Sequence, residues 1–207
     1  MQITKISPQK KNKNRVNIYI DGDFSLSLDL KMLVLKNIHQ GMIISQNELD
    51  DLIKQSRTND LYEKVLRFLS LRPKTEKEII DYLTKKQAGA QEIEYILDKL
   101  KKLKLVDDFE FCRWWYTQRE NFRPRSKKAL YFELFRKGVR KEIIDEVFSD
   151  KNINTDMLEK LVKKAAFRFE KIKDSRQRKN KLIQYLLRQG FDYQSIKDAV
   201  EKLSKKE

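Results

Sequence analysis

One pattern of apolar residues and glycine occurs three times in this chain, at offsets of 51 and 52 residues. Each copy has an apolar residue, a leucine four positions later, a glycine, and then a stripe of apolar residues. The aligned positions are Ile79, Leu130 and Leu182; Leu83, Leu134 and Leu186; Gly89, Gly138 and Gly190; and the stripes Ile93/Ile96/Leu97, Ile143/Ile144/Val147 and Ile196/Ala199/Val200. A period of this length, with helical spacing inside each copy, predicts stacked modules of three helices each.

The spacing between leucine and glycine differs among the copies. Gly138 and Gly190 follow the repeat leucine by four residues, whereas Gly89 follows it by six, which predicts a two-residue insertion in the first copy. All five glycines of the chain lie at predicted turns or helix ends, where a positive φ is favourable. None belongs to a phosphate-cradling loop, so the glycines argue against a nucleotide enzyme.

Capping signals divide the chain further. Ser45-x-x-Glu48 and Thr75-x-x-Glu78 are capping boxes that predict helix starts, and Arg72-Pro73 predicts the end of the helix before the second box. With the repeat, these signals predict an N-terminal extension followed by three modules. The predicted segments are residues 1–60, 61–108, 109–153 and 154–207.

The first part of the chain alternates apolar and polar residues, as β-strands do. Asp21-Gly22 divides two alternating segments and predicts a hairpin, to which Ile3 and Ile6 could add a third strand. A two-residue loop would mix apolar and polar residues on one face, so we expect an odd-length loop or a bulge. The expected pairs are Ile20 with Phe24, Ile18 with Leu26, and Val16 with Leu28.

The net charge of the 207-residue chain is +15, and it is unevenly distributed. Residues 61–207 hold 37 of the 46 basic residues and 24 of the 31 acidic ones, and so carry +13 of that charge. A charge of this sign and size favours polyanions or an acidic protein surface as partners. We therefore expect the repeats to carry the binding surface.

Few residues could support catalysis. His39 stands alone, and Cys112 lies among aromatic residues, which predicts a small buried side chain rather than a nucleophile. Asp107-Asp108 could be a metal-ligand pair, but these carboxylates would also suit the start of the next helix, which they would cap. We expect no enzyme activity, no cofactor and no metal.

The compartment follows from cysteine usage and hydropathy. One cysteine cannot form an internal disulfide, which suits a reducing environment. The N-terminus has no apolar leader, and no apolar run approaches the ~18 residues that a membrane span requires. We expect a cytoplasmic protein without membrane contact.

Two dense basic clusters are the clearest functional signal. Residues 113–140 hold nine basic and two acidic residues, and residues 160–181 hold ten and two. The run Arg123-Pro124-Arg125-Ser126-Lys127-Lys128 crowds cations at a predicted helix N-terminus, where they are electrostatically unfavourable. Such a cluster is either a solvated face or a surface for phosphates or protein carboxylates.

The aromatic residues of this region are expected to divide between core and surface. Trp114, Trp115 and Tyr116 are adjacent, so one should be partly exposed, where it could stack on bases or anchor a protein interface. The remaining aromatic residues are predicted to lie in the module core. They are Phe109, Phe111, Tyr131, Phe132 and Phe135.

Three stretches together resemble the RecX family, the regulators of RecA recombinase. They are the junction Leu105-Val106-Asp107-Asp108-Phe109-Glu110-Phe111-Cys112-Arg113, the run from Arg123-Pro124-Arg125-Ser126-Lys127-Lys128 through Leu134 to Lys137-Gly138-Val139, and Leu182-x-x-Tyr185-Leu186-Leu187-Arg188-Gln189-Gly190-Phe191 followed by Ile196. The resemblance covers residues 61–207, and residues 1–60 look like an N-terminal extension. Cys112 stands where alanine is common, and the turn at Lys86-Gln87-Ala88-Gly89 is longer than usual.

The resemblance implies a mainly α fold of tandem three-helix modules, elongated and curved, with a small N-terminal β-hairpin or sheet. It also implies a monomeric protein that lies in the groove of the RecA filament on single-stranded DNA. There it would limit ATP hydrolysis, strand exchange and filament growth, touching the DNA directly or through the filament. The residues expected to make these contacts are Arg123, Arg125, Lys127, Lys128, Arg113, Arg119, Arg72, Lys74, Arg136 and Lys137.

One other interpretation remains open on the residues alone. A stand-alone nucleic-acid binder built from helix-turn-helix-like units would show the same charge. It would bind bare DNA with steep salt dependence and without RecA.

Overall fold

The computed structural model describes residues 1–10, 12–149 and 153–204. In that part the chain forms ten α-helices and one three-stranded sheet, which confirms the predicted mainly α fold with an N-terminal sheet. The elements are β1 (Ile3–Pro8), β2 (Arg15–Ile20), β3 (Asp23–Asp29), α1 (Leu30–Leu35), α2 (Gln46–Ser70), α3 (Glu76–Lys85), α4 (Ala90–Lys102), α5 (Asp108–Phe122), α6 (Lys127–Arg136), α7 (Lys141–Ser149), α8 (Ile153–Phe169), α9 (Ser175–Arg188) and α10 (Tyr193–Ser204).

The internal contacts divide the chain into two compact units. One consists of Met1–Ser70 and Leu83–Ile96; the other consists of Leu71–Tyr82 and Leu97–Glu207. The predicted boundary between residues 60 and 61 lies inside α2, which continues to Ser70 without interruption.

The hairpin uses a two-residue turn and corrects its register with a bulge. Asp21 and Gly22 both have positive φ, 50° and 98°, as a type I′ turn requires. The pairing then shifts between Ile18 and Tyr19, so that Tyr19 rather than Ile20 lies opposite Phe24. The expected bulge is confirmed and the expected pairing of Ile20 with Phe24 is wrong; Phe24 is 57% exposed. Beyond the bulge, the expected pairs Ile18 with Leu26 and Val16 with Leu28 are present.

The sheet forms one side of the first core. The predicted third strand, β1, pairs antiparallel with β2 and places Ile3 opposite Ile20. Leu49 and Leu52 of α2 belong to the same buried cluster. The predicted capping box at the start of α2 is present, because the Ser45 amide donates to Glu48 Oε2 (2.9 Å) and the Glu48 amide to Ser45 Oγ (3.3 Å).

The turn of the first copy lacks the predicted two-residue insertion. Gln87, four residues after Leu83, takes the left-handed conformation at φ +59°, as Gly138 does in the second copy at +87°. The Ala88 amide then bonds the Leu83 carbonyl (3.1 Å), as the amide after Gly138 bonds the Leu134 carbonyl (3.1 Å). The three turns therefore have equal length, and neither the insertion nor a left-handed Gly89 is present.

Gly89 instead begins α4. Its carbonyl accepts from the Ile93 amide (3.0 Å), and its own amide donates to Glu92 Oε2 (2.8 Å). The sequence comparison aligned this glycine with the wrong position, because Gln87 carries a side chain that is rare at positive φ.

The repeat leucines are buried as predicted, whereas part of the aromatic prediction is wrong. Leu83, Leu134 and Leu186 are fully buried, as is Cys112. Phe111 is buried as expected, whereas Phe132 and Phe135 are 51% and 59% exposed. The reason is helical geometry: α6 buries only the stripe of Leu130 and Leu134, and these two rings lie outside it.

Candidate functional site

The helix start of one copy contacts the glycine turn of the next. At the start of α3, Thr75 Oγ1 donates to the Lys137 carbonyl at 2.6 Å. At the start of α6, the Ser126 amide donates to the Gln189 carbonyl at 3.2 Å. Since Lys137 and Gln189 each precede the glycine of their own copy, the same junction is built twice.

The two glycines are required at these junctions by space as well as by backbone angle. A Cβ at Gly138 would lie 2.4 Å from Lys77 Cβ, and a Cβ at Gly190 would lie 2.7 Å from Ser126 Oγ. Both residues also have positive φ, near 90°. The repeat glycines therefore allow close packing of one copy on the next.

Glu78, at the start of α3, forms ion pairs with two of the predicted contact residues. Arg72 binds it with both terminal nitrogens at 2.9 Å, and Lys137 Nζ donates to Oε1 at 2.6 Å. Burial raises the pKa of Glu78, but hydrogen bonds from Arg72 and Lys137 outweigh it and hold the pKa at about 2. These two cations are thus engaged within the protein.

Lys74, between Arg72 and the capping threonine, is only 5% exposed. Burial lowers its pKa, and the neighbouring charges of Arg72 and Lys137 lower it further, while Glu78 opposes them. Its place in the interior does not suit a direct contact with a large partner.

A second group of cations lies around Glu133 and the indole ring of Trp115. Its Oε2 accepts from Trp115 Nε1 at 3.0 Å and from Arg119 Nε at 2.8 Å. The Arg119 guanidinium and Lys137 Nζ lie 4.4 and 4.6 Å from the centre of the Trp115 ring. The two cations flank a half-buried tryptophan, which they help to fix in place.

The start of α6 is different, because three of its four cations are exposed. Ser126 caps the helix by accepting from the Ala129 amide (3.2 Å), and the first turn contains no acidic residue. Arg123, Lys127 and Lys128 are exposed. Three cations at the positive end of a helix repel one another and the helix dipole, so this end attracts anions.

The ten predicted contact residues therefore fall into two sets. Five are engaged in ion pairs or buried: Arg72, Lys74, Arg119, Arg125 and Lys137. Five are exposed: Arg113, Arg123, Lys127, Lys128 and Arg136. Exposure does not exclude local contacts, since Arg113 lies 3.7 Å from Glu110 and Lys127 Nζ donates to the Phe148 carbonyl at 3.2 Å.

A cleft of about 350 Å³ lies beside the start of α6. Arg123 and Arg125 line it from the α5–α6 connection, and Lys164 and Arg168 line it from α8. The last two were not singled out from the sequence, although they belong to the dense basic cluster of residues 160–181. Only the fold shows that they line one cleft with residues 39 to 45 positions earlier.

The aspartate pair acts as helix caps. The Asp107 carboxylate accepts from the amides of Phe109 and Glu110 at 2.8 and 3.1 Å, which confirms the predicted cap of α5. Asp108 turns the other way and accepts from the Glu76 amide at the start of α3 (2.9 Å). Within the described ranges, no group of three or more His, Cys, Asp or Glu side chains is placed to hold a metal ion.

None of the helices that the structure describes is long and apolar enough to cross a membrane.

Family models and relatives agree with the resemblance. Residues 1–45 match the Regulatory protein RecX N-terminal domain, residues 62–100 the first RecX three-helix domain, and residues 154–200 the third. The regulatory protein RecX of Clostridium acetobutylicum is 32% identical over 97% of this chain and 95% of its own. That of Bacillus licheniformis is 32% identical over 96% and 76%.

Solved structures agree as well. A crystal structure of regulatory protein RecX superposes with a TM-score of 0.68 at 25% identity, covering 95% of this chain and 98% of the other. RecX from Lactobacillus salivarius superposes with a TM-score of 0.57 at 25% identity, covering 71% and 96%. The chain belongs to the RecX family of regulatory proteins.

Proposed function

We propose that this protein is a non-enzymatic, monomeric regulator that binds the RecA filament on single-stranded DNA in the cytoplasm. Bound there, it limits ATP hydrolysis, strand exchange and filament growth. The observation that carries the proposal is membership of the RecX family over nearly the whole chain.

The distribution of charge supports a surface for this partner. Arg123, Lys127 and Lys128 are exposed at a helix start without a compensating carboxylate in its first turn. Exposed surface cations add to the attraction for an acidic filament and raise the association rate. Many such contacts along a polymer add through avidity.

The test is the DNA-dependent ATPase of the cognate RecA, titrated with this protein at near-physiological salt. The variant replaces Arg123, Lys127 and Lys128 by Glu. We expect wild type to inhibit at substoichiometric ratios and the triple variant to need at least about tenfold more protein, since each reversed contact costs about 0.5 kcal/mol or more.

A matched control replaces Lys13, Lys31 and Lys36 by Glu, which changes the net charge equally. These three lysines are exposed and lie in the N-terminal unit. Equal loss of inhibition in both triple variants would assign the effect to net charge alone. An absence of inhibition by wild type would refute the proposal.

The cleft lined by four cations favours one alternative, a nucleic-acid binder that acts without RecA. That function requires tight binding to bare single-stranded DNA with an affinity that falls steeply with salt. Measured beside the ATPase titration, tight DNA binding without inhibition would favour it.

A further inference from the structure

We infer that the cleft between the α5–α6 connection and α8 is a binding site for a nucleotide, whose phosphate the cations bind and whose base stacks on an aromatic ring. Arg123, Arg125, Lys164 and Arg168 supply four cationic groups, and no acidic side chain is among the described residues that line it. Glu133 pairs with Arg125 at 3.3 Å, and the space of about 350 Å³ keeps an excess of positive charge that an anion would reduce. The site assigned here includes two residues of α8 that the sequence did not indicate.

Arg125 gives the site its most specific feature. Its Nε is buried and makes no hydrogen bond, although it lies 3.3 Å from Glu133 Oε1. Glu133 already accepts from Trp115 and Arg119 through its other oxygen. An unsatisfied buried N–H is unfavourable, and an oxygen of a bound anion would satisfy it.

The chemistry of the cations favours phosphate over a single carboxylate. Three of the four are arginines, whose planar guanidinium groups bind two oxygens of one phosphate at once. A tetrahedral anion with several oxygens can use donors that approach from α8 and from the α5–α6 connection. A carboxylate offers only two oxygens in one plane.

One aromatic residue of the lining, Phe122, offers an exposed ring to a base. The Arg168 guanidinium lies 5.6 Å from the centre of the Tyr185 ring, and Phe122 is 73% exposed at the same cleft. Bases stack on exposed aromatic rings without regard to sequence. The volume is near the lower end for ligand pockets, so it suits one nucleotide rather than a duplex.

Arg123 belongs both to the exposed cations proposed to contact the filament and to the lining of this cleft. The inference therefore deepens the proposed function and rests on it. Binding to the cleft is measured on this protein alone, without RecA. A negative result for the cleft is then distinguishable from a negative result for filament regulation. A free nucleotide and a single strand of nucleic acid present the same chemistry, and the experiment distinguishes them.

The experiment measures fluorescence anisotropy of a labelled dT oligonucleotide, with ATP and inorganic tripolyphosphate as competitors. We expect Arg168→Gln to weaken oligonucleotide binding about tenfold, because a charge-assisted hydrogen bond is lost. The matched control is Arg140→Gln, which removes an equal charge from an exposed residue outside the cleft. Equal effects of the two variants would overturn the site.

Two further variants test its parts. Arg125→Lys keeps the charge but removes the buried Nε–H, and we expect it to weaken binding of the oligonucleotide and of tripolyphosphate. Phe122→Ala should weaken the oligonucleotide but not tripolyphosphate. Competition by micromolar ATP would identify a free nucleotide as the ligand, and competition only by unlabelled strand would identify nucleic acid. Absence of binding to every probe would refute the inference.

Discussion

The starts of α3 and α6 carry the same sequence pattern but use it differently. Arg72-Pro73-Lys74-Thr75 aligns with Arg123-Pro124-Arg125-Ser126, and each segment contacts the turn of the following copy. At α3 the first arginine is bound by Glu78 in a bidentate pair. At α6 the first arginine is exposed.

One aligned position distinguishes the two helix starts. The position of Glu78 in the first copy is held by Ala129 in the second, 51 residues later. With a carboxylate at the third helical position, the cations around the helix start become part of the fold. The first turn of α6 has no acidic residue, and Arg123 and Lys128 are exposed to an external anion.

Breaking the shared junction should have the largest effect. We expect Gly138→Ala to lower the free energy of unfolding by about 2–4 kcal/mol, from a left-handed alanine and from overlap with Lys77 Cβ. Urea unfolding followed by tryptophan fluorescence reports on this region, because both tryptophans lie in α5.

Two other substitutions separate strain from overlap. Gly22→Ala imposes a positive φ of 98° but meets no atom within 4 Å, so circular dichroism should show only the backbone cost of about 1–2 kcal/mol. Gln87→Gly should raise stability, because it relieves the left-handed conformation in the first copy. A loss in Gly138→Ala no larger than in Gly22→Ala would contradict close packing at the junction.

Removing the carboxylate at α3 should have an intermediate effect that depends on pH. Glu78 has a folded pKa near 2 against an ordinary value of 4.5, so its charge stabilises the fold above about pH 4.5 and ceases to do so as the pH falls toward 2. We expect Glu78→Gln to cost about 1–2 kcal/mol at pH 7, allowing for solvent screening. The difference from wild type should shrink between pH 4.5 and 2 in chemical denaturation.

The control is Asp98→Asn, which removes an exposed carboxylate paired with Lys102 at 2.7 Å. Surface pairs contribute little, so its stability should stay close to that of wild type. If Glu78→Gln lowered the free energy of unfolding no more than Asp98→Asn does, the ion pairs of Glu78 would contribute no more to stability than an exposed surface pair.

Local rules predict much of this fold from sequence. The capping boxes at Ser45 and Thr75, the Asp107 cap and the repeat leucines depend on residues only a few positions apart. Such short-range geometry is encoded in spacing, and the family resemblance rests on the same residues. The hairpin bulge was predictable because apolar faces must align.

The division of the cations was not predictable, because it depends on contacts between distant residues. Lys137 binds Glu78, 59 positions earlier, and Arg168 lines the same cleft as Arg125, 43 positions earlier. The prediction for the turn at Gln87 was wrong for a different reason. A glycine two residues later was the better candidate for positive φ by residue type, yet the backbone pattern of the repeat places the left-handed residue at a glutamine.

The substitution with the smallest expected effect makes the start of α6 resemble the start of α3. Ala129→Glu restores the acid of a capping box, within reach of the arginines before it, as Glu78 is of Arg72. We expect a gain in stability of about 0.3–1 kcal/mol from the helix end, and weaker binding of the oligonucleotide and of RecA filaments. Ala129→Gln is the matched control, since it fills the same space beside Gly190 without the charge. Because the charge alone separates these two variants, loss of binding in the glutamate variant only would show that one carboxylate decides whether this helix start serves the fold or a partner. Equal binding by both variants would show that the difference between the two copies has another cause.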